Sequence, residues 1–312
     1  MSANKKIVDR DLIDDANRAA RSITHKHLLT IINTIFRQFP NNKTYRILDA
    51  GCGGCELISY LETFIPRFHF DLDVEIYGFD VLNSKVQFND FNDKAFRMLS
   101  KRHGHINWKN RLSMISSNDP WPFDDEKFDI IVSNQVVEHI GDHYFFFSQN
   151  WRVLKDKGFS VHLFPVKNYI IEGHLHLPFV HRIKQWSLLY RFIKTLSILR
   201  FGRWKAIKNH CNLDDYSKSY ADFLTNYCNY TTIGDLVSLG KKCGFRTGFK
   251  FTGNFYLGKL KDIFRIKHQF FYKKENPHYF SVHFYKYIQC ITLFLEKNDA
   301  YINYIAKYPV SK

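Results

Sequence analysis

Leu48-Asp49-Ala50-Gly51-Cys52-Gly53-Gly54-Cys55-Glu56-Leu57 (LDAGCGGCEL) carries two spellings at once. Its cysteines form C-x-x-C, a redox or metal-binding spacing. Its glycines form a loop between a short apolar run, Tyr45-Arg46-Ile47-Leu48, and a helix-forming run from Glu56 to Phe64. A strand that turns through glycines into a helix opens a doubly wound α/β unit, and such units bind ligands beyond the carboxyl ends of their strands. Residues without a Cβ let a ligand approach the backbone, and the amides at a helix start favour a negative group such as a carboxylate. The neighbouring sequence decides between the two spellings.

N-terminal to this stretch, residues 11–39 read as one helix. Leu28, Leu29, Ile32, Ile35 and Phe36 recur near helical spacing, and Pro40-Asn41-Asn42 breaks the run. C-terminal to it, the helix from Glu56 stops near Pro66, and Val74 to Phe79 forms a second strand ending at Asp80. A helix over about 84–102, a strand at Leu112–Ile115, a strand at Phe128–Val132, a helix over Val136–Leu154 and a strand at Gly158–Pro165 follow. The fourth strand is apolar enough to be buried on both faces. Strands alternating with helices predict a mostly parallel, doubly wound sheet. Beyond 165 the alternation dissolves. Residues 166–230 and 253–285 read as aromatic, basic and irregular, Ile233–Cys243 as a helix, Phe245–Phe251 as a strand, and Tyr287–Leu295 as a last strand or a helix. The expected division is an N-terminal helical segment (1–40), a cofactor-binding α/β core (41–165), and the remainder of the core with substrate-binding or lid insertions (166–312).

The chain has 312 residues, enough for one large domain with insertions. Its six cysteines are scattered rather than framed as disulfide pairs, which suits a reducing compartment. The N-terminus MSANKKIVDR has no signal-type apolar stretch, and no run is long and apolar enough to span a bilayer. The expectation is a cytoplasmic protein, peripheral at most to the inner face of the membrane. The net charge of +15 is uneven: residues 1–150 hold 18 Lys and Arg against 20 Asp and Glu, and the remainder holds 27 against 10. Residues 173–210 contain eight Lys and Arg and no acid, which points to a phosphorylated or membrane-surface partner, or to a solvated basic face.

Asp80 follows Gly53 by 27 residues at the end of the second strand, where an acid can accept from both hydroxyls of a ribose. Glycine loop and acid together indicate a nucleoside-containing cofactor. Glu56 stands where a dinucleotide fingerprint would have its third glycine, which weighs against NAD or FAD. The stretch Ser117 to Ile140 (SNDPWPFDDEKFDIIVSNQVVEHI) resembles the class I S-adenosylmethionine-dependent methyltransferases, as does Trp151 to Gly158 (WRVLKDKG). The resemblance covers roughly 40–165 and, more faintly, 230–252. It implies a seven-stranded Rossmann-like sheet and S-adenosylmethionine as cofactor. By position it also implies that Asp49, Gly51, Cys52 and Gly53 hold the methionine part, that Asp80 binds the ribose, that Asn118 or Asp119 meets the adenine, and that Asn134 and Gln135 line the methyl-donor site. Cys55 departs from the third glycine of many members, and Asp156-Lys157 from a commoner Pro-Gly. No second C-x-x-C or H-x-x-H completes a zinc set, so the cysteines read as small residues filling a turn, and no metal is expected.

Methyl transfer to a hydroxyl needs a base, and histidine suits neutral pH. Glu138, His139, Asp142 and His143 follow the fourth strand; a metal on these four would need one helix turn to present them all. His174, His176 and His181 lie past the fifth, with His174 and His176 alternating like strand residues. Glu138, His139 and His174 are the candidate catalytic residues. The segment EGHLHLPFVH (172–181) is similar to an E-x-H…L-P-F-x-H segment of methyltransferases in surface-polysaccharide pathways. That likeness implies a sugar hydroxyl on a glycan, a nucleotide-sugar or a lipid-linked glycan precursor, a class that carries phosphates and suits the basic second half. Methylation of a small lipid-like molecule, of the quinone or fatty-acid type, stays open. RNA is disfavoured, because Ser133-Asn134-Gln135-Val136 is not of the Asn/Asp-Pro-Pro-Tyr/Phe type and no RNA-binding module is appended. A non-catalytic relative is disfavoured by the intact glycine and ribose positions. Gln185–Trp204 (QWSLLYRFIKTLSILRFGRW) reads either as a helix at an anionic membrane surface or as a lid over the cofactor.

Overall fold

The computed structural model describes residues 9–37, 39, 43–82, 91–272 and 284–298. The N-terminal segment is two helices, α1 (Arg10–Ala19) and α2 (Ile23–Phe36), not one. Ala20 and Ser22 are extended, and the Ser22 hydroxyl accepts from the His25 amide. That cap satisfies a donor at the start of α2, so the chain breaks ahead of the apolar run that begins at Leu28. The Pro40-Asn41-Asn42 break lies outside the described residues.

The core follows as β1 (Thr44–Ala50), α3 (Glu56–Phe68), β2 (Asp73–Val81), α4 (Phe91–Arg102), β3 (Leu112–Ile115), β4 (Phe128–Asn134), α5 (His143–Val153) and β5 (Leu154–Pro165). Residues 84–90 of the helix expected over about 84–102 lie outside the described residues. The helix expected from Val136 instead opens as a 3-10 turn, Val137–His139, and the α-helix starts only at His143, where the Asp142 side chain caps the Phe145 amide. Residues 166–230, expected to be irregular apart from a helix within 185–204, contain three helices: α6 (Trp186–Ile198), which bears out that helix, the single turn α7 (Trp204–Ile207) and α8 (Leu213–Asn226). The stretch after 252, also expected to be irregular, opens with a further helix. The remaining elements are α9 (Ile233–Lys242), β6 (Phe245–Gly248), α10 (Thr252–Ile263) and β7 (Cys290–Lys297). The last expected element is therefore a strand.

The seven strands form one sheet in the order β3-β2-β1-β4-β5-β7-β6. All neighbours pair in parallel except β7, which runs antiparallel to both β5 and β6. Successive side chains of a strand face opposite layers. Ile47, Ile130, Val132 and Val161 accordingly pack with Leu28, Leu29, Ile32, Ile58 and Leu61 of α2 and α3. Leu48, Ile131 and Leu293 pack on the other face with Phe146, Phe147 and Leu236 of α5 and α9. Burial on both faces explains why β4 reads as a continuous apolar run. The strand order reverses between β1 and β4, so a crevice opens at the carboxyl ends of those two strands. A smaller core joins α6 and α8 to the 175–180 loop through Leu175, Leu177, Leu189, Ile193, Tyr216 and Leu224.

Candidate active site

The glycine loop turns on the carboxyl end of β1. The Gly51 and Cys52 amides both donate to the Phe79 carbonyl, at 2.9 and 3.0 Å, which ties the loop to β2. Gly51 sits at φ +80°, and a Cβ there would lie 2.6 Å from a Val136 methyl. Both facts favour glycine there and make any side chain strained. The Gly53 amide donates to Asp80 Oδ2 at 2.5 Å and the Val81 amide to Oδ1 at 2.7 Å. Asp80 thus sets the loop's shape as well as presenting acceptor oxygens at the crevice. Each carboxylate oxygen has two lone pairs, so such an acid can share a hydroxyl with its amide.

Asp49 is buried at the end of β1, and its Oδ1 has no partner. Burial, reinforced by the charge of Asp80, pushes its carboxyl up to about 8. On the adjoining strand, Asn134 Oδ1 is likewise buried without a partner. Gln135 stands at φ +58°, and its side-chain amide donates to the Leu163 carbonyl at 3.2 Å and to Cys290 Sγ at 3.4 Å. The structure therefore turns Gln135 towards β5 and β7. Past β3, Asp119 closes its own turn by accepting from the Ser116 amide at 3.0 Å, while Asn118 is exposed beside it. Trp121 is buried against Phe79, with ring centroids 4.7 Å apart and the rings tilted.

Cys52 and Cys55 are free thiols whose sulfurs lie 3.7 Å apart. The contact with Cys55, and then burial, hold the Cys52 thiol well above its ordinary value, the opposite of what a reactive thiol needs. Cys55 occupies a left-handed backbone conformation at the start of α3, the place where a third glycine would relax the turn. Among the described residues, no group of three or more His, Cys, Asp or Glu is arranged to hold a metal ion.

Glu138, His139 and His174 converge across this edge. The His139 Nδ1 sits 2.7 Å from the Tyr227 carbonyl oxygen, so Nδ1–H donates and Nε2 keeps its lone pair. Burial holds His139 below the ordinary histidine value and therefore neutral at pH 7. The His174 ring lies 5.6 Å from it, centroid to centroid. His174 Nδ1 is 2.6 Å from Glu172 Oε1, which fixes that ring in the same sense. Glu138 is buried with Oε2 unpartnered, and burial pushes its carboxyl up to about 8, aided by the nearby Glu172. It is thus a neutral donor at pH 7.

Glu172 went unassigned in the sequence, yet it organises the site. It is fully buried and accepts from the His174 and Leu175 amides at 2.8 and 2.7 Å and from the hydroxyls of Tyr169 and Tyr230 at 3.2 and 3.0 Å. Burial alone would raise its carboxyl, but the His174 ring and these amides overcome that and lower it to about 2. Its place two residues before His174 was the one available signal; Tyr230 gave none. His176 is exposed at φ +58° in a loop, so the strand-like alternation with His174 does not hold. His143 Nε2–H donates to the Val137 carbonyl oxygen at 2.9 Å. His181 is buried against Tyr169, with centroids 4.1 Å apart.

The family model described as "Methyltransferase domain" matches residues 41–219, more than half the chain. No curated protein matches the sequence. Similar solved structures include the YcgJ protein of Bacillus subtilis (14% identity, 87% of this chain and 99% of that one, TM-score 0.44). A SAM-dependent methyltransferase from Aquifex aeolicus is similar at 11% identity over 93% of this chain and 98% of that one, TM-score 0.45. A phosphoethanolamine N-methyltransferase 2 from Haemonchus contortus is similar at 15% identity over 93% of this chain and 60% of that one, TM-score 0.42. Likenesses this distant do not bear on the substrate. With its match over residues 41–219 and its 3-2-1-4-5-7-6 sheet, the chain belongs to the methyltransferase-domain family and is an enzyme of the class I methyltransferase architecture.

Proposed function

We propose that this methyltransferase, whose cofactor is S-adenosylmethionine, O-methylates a sugar hydroxyl on a glycan, nucleotide-sugar or lipid-linked glycan precursor. The observation that carries the hydroxyl reading is the 2.6 Å contact between Glu172 and His174 Nδ1. It presents the other ring nitrogen as a base, and a neutral hydroxyl needs one whereas a free amine does not.

The residues at the crevice fit the cofactor. Asp49 and Asn134 each hold a buried oxygen without a partner, and the loop at Gly51 and Gly53 turns through positive φ beside them. Asp49, Gly51, Cys52, Gly53, Asp80, Asn134 and the Asn118–Asp119 turn would hold it, with Gln135 shaping the wall. When bound, the cofactor supplies a methyl carbon activated on a sulfonium. His174 takes the hydroxyl proton. His139, neutral and fixed by Tyr227, orients the acceptor from the facing side, and the protonated Glu138 donates a hydrogen bond into the same space. Phe223, 4.9 Å from the His174 ring, offers an apolar face for a sugar ring. Exposed Ile170, Ile171 and Phe179 border the Glu172 loop and favour the lipid-linked members of this acceptor class. The phosphates of such a precursor match the basic second half.

The test is transfer of a labelled methyl group from S-adenosylmethionine into separated glycan, lipid and RNA fractions of a cell extract. Label in the glycan or glycolipid fraction is expected. Label confined to RNA, or to an amine, would overturn the acceptor assignment. His174→Gln should lower kcat by about 10²–10⁴-fold, the usual contribution of a general base, with cofactor affinity unchanged.

A further inference from the structure

We propose that the C-terminal tip of α6 docks this enzyme on an anionic lipid surface. The inference goes beyond the methyl-transfer reading and can fail separately from it. The inner stripe of α6, Leu189, Ile193 and Ser197, is buried on α8. Its outer stripe runs Leu188, Arg191, Thr195 and Ile198, at spacings that place them on one face. At the tip, Ile198, Leu199 and Phe201 are 62%, 60% and 57% exposed, three large apolar side chains in four residues. Arg200 lies between them and Arg203, Lys205 and Lys208 follow, all exposed. No acid occurs from 173 to 210. The acids of α8 are engaged: Asp214 pairs with Lys194 at 2.7 Å and Lys218 at 2.8 Å, Asp215 accepts from the Asn212 side-chain amide, and Asp222 accepts from Trp186 Nε1 at 2.7 Å.

Apolar side chains ringed by cations of one sign suit a surface with a negative headgroup layer over hydrocarbon. Among the described residues, no helix is long and apolar enough to cross a membrane, so the contact is lateral. The tip is also tied to the candidate active site. Gly202 turns at φ +71°, where a Cβ would lie 2.7 Å from the Leu175 carbonyl oxygen, and the Arg203 amide donates to that oxygen at 2.8 Å. Leu175 in turn donates its amide to Glu172. The docking tip and the loop that carries His174 are therefore one hydrogen-bonded unit, which delivers the site to the surface where a lipid-linked acceptor would reside.

Flotation of the full chain with phosphatidylcholine vesicles, and with vesicles in which phosphatidylglycerol replaces part of it, tests the proposal. Binding to the anionic vesicles alone, weakened by salt, is expected. Arg200→Glu should weaken it roughly thirtyfold, the equivalent of two charges at about 1 kcal/mol each. Leu199→Ser with Phe201→Ser should abolish it, with cofactor affinity and unfolding temperature retained as the sign of an intact fold. Equal binding by the variants, no preference for anionic vesicles, or a salt-stable dimer that the serine variant disrupts without any vesicle binding would overturn it. Methyl transfer to a soluble acceptor by a variant that no longer floats would leave the proposed chemistry standing and locate the failure at the surface.

Discussion

Asp49 shows how a single buried group reports on ligand binding. Its carboxyl is protonated at neutral pH because burial and the charge of Asp80 hold it near 8. A cation brought beside it favours the ionised form and expels the proton. Titration with S-adenosylmethionine near pH 7 in buffers of different ionisation enthalpy should therefore show release of close to one proton, and Asp49→Asn should abolish the release. Proton uptake, or no exchange, would place the cofactor's cation elsewhere. Gly51 and Cys52 make the complementary case. Gly51→Val forces a side chain into Val136 at a positive φ, so cofactor binding should be lost with a strain cost of about 1–3 kcal/mol in denaturant unfolding. Cys52→Ala removes only a protonated thiol and should keep most of the activity; an inactive variant that still binds cofactor would restore a role to the C-x-x-C.

At the scale of elements, the site rests on how β1, β2 and α3 abut. Gly78 in β2 lets the strand pass beneath α3: a Cβ there would lie 2.5 Å from Ile58 Cδ1 and 3.0 Å from Cys52 Sγ. Gly78→Ala should cost about 1–3 kcal/mol by overpacking, read as a lowered urea midpoint with unchanged slope. It should also weaken cofactor binding, because Cys52 belongs to the loop it would push. The same view explains which elements the sequence hid. The strands β1, β2 and β4 announce themselves because they are apolar on both faces. The amphipathic run 185–204 shows α6 as well, but α8 stays hidden, because it buries only a narrow stripe against α6 and carries acidic, basic or aromatic residues on the rest. The α1–α2 break also escaped periodicity, since it depends on one serine cap and not on any proline or glycine.

Over the whole molecule, buried titratable groups set the pH dependence of stability. Eight histidines, His25, His27, His103, His139, His143, His162, His181 and His268, are held below their ordinary value, chiefly by burial. The unfolded chain protonates them below about 6.5 while the folded chain resists, so stability rises with pH towards about 6.5. Glu172, lowered to about 2, adds stability present above its unfolded value and lost as the pH falls towards 2. Asp49, Glu138 and Glu62 act the other way: folded, the first two keep protons up to about 8 and the third up to about 7, protons that the unfolded chain releases near 4, so they erode stability across that interval. Below 6.5 the histidines outnumber them; above it these raised carboxyls govern the change. The unfolding temperature should peak near pH 6.5 and fall on both sides, and Asp49→Asn with Glu62→Gln and Glu138→Gln should remove the alkaline decline. A monotonic rise to pH 8 in the parent protein would contradict this balance. The parallel α/β core, the glycine loop, Asp80 and the methyltransferase resemblance are legible in the chain order, because backbone geometry and two-sided burial act locally and leave local signatures. The folded arrangement alone shows that Glu172 orients His174, that Tyr227 fixes His139, that Gln135 faces β5 and that the α6 tip hangs from Leu175. Those contacts join residues that the chain order separates, and their hydrogen bonds leave no period or spacing to read.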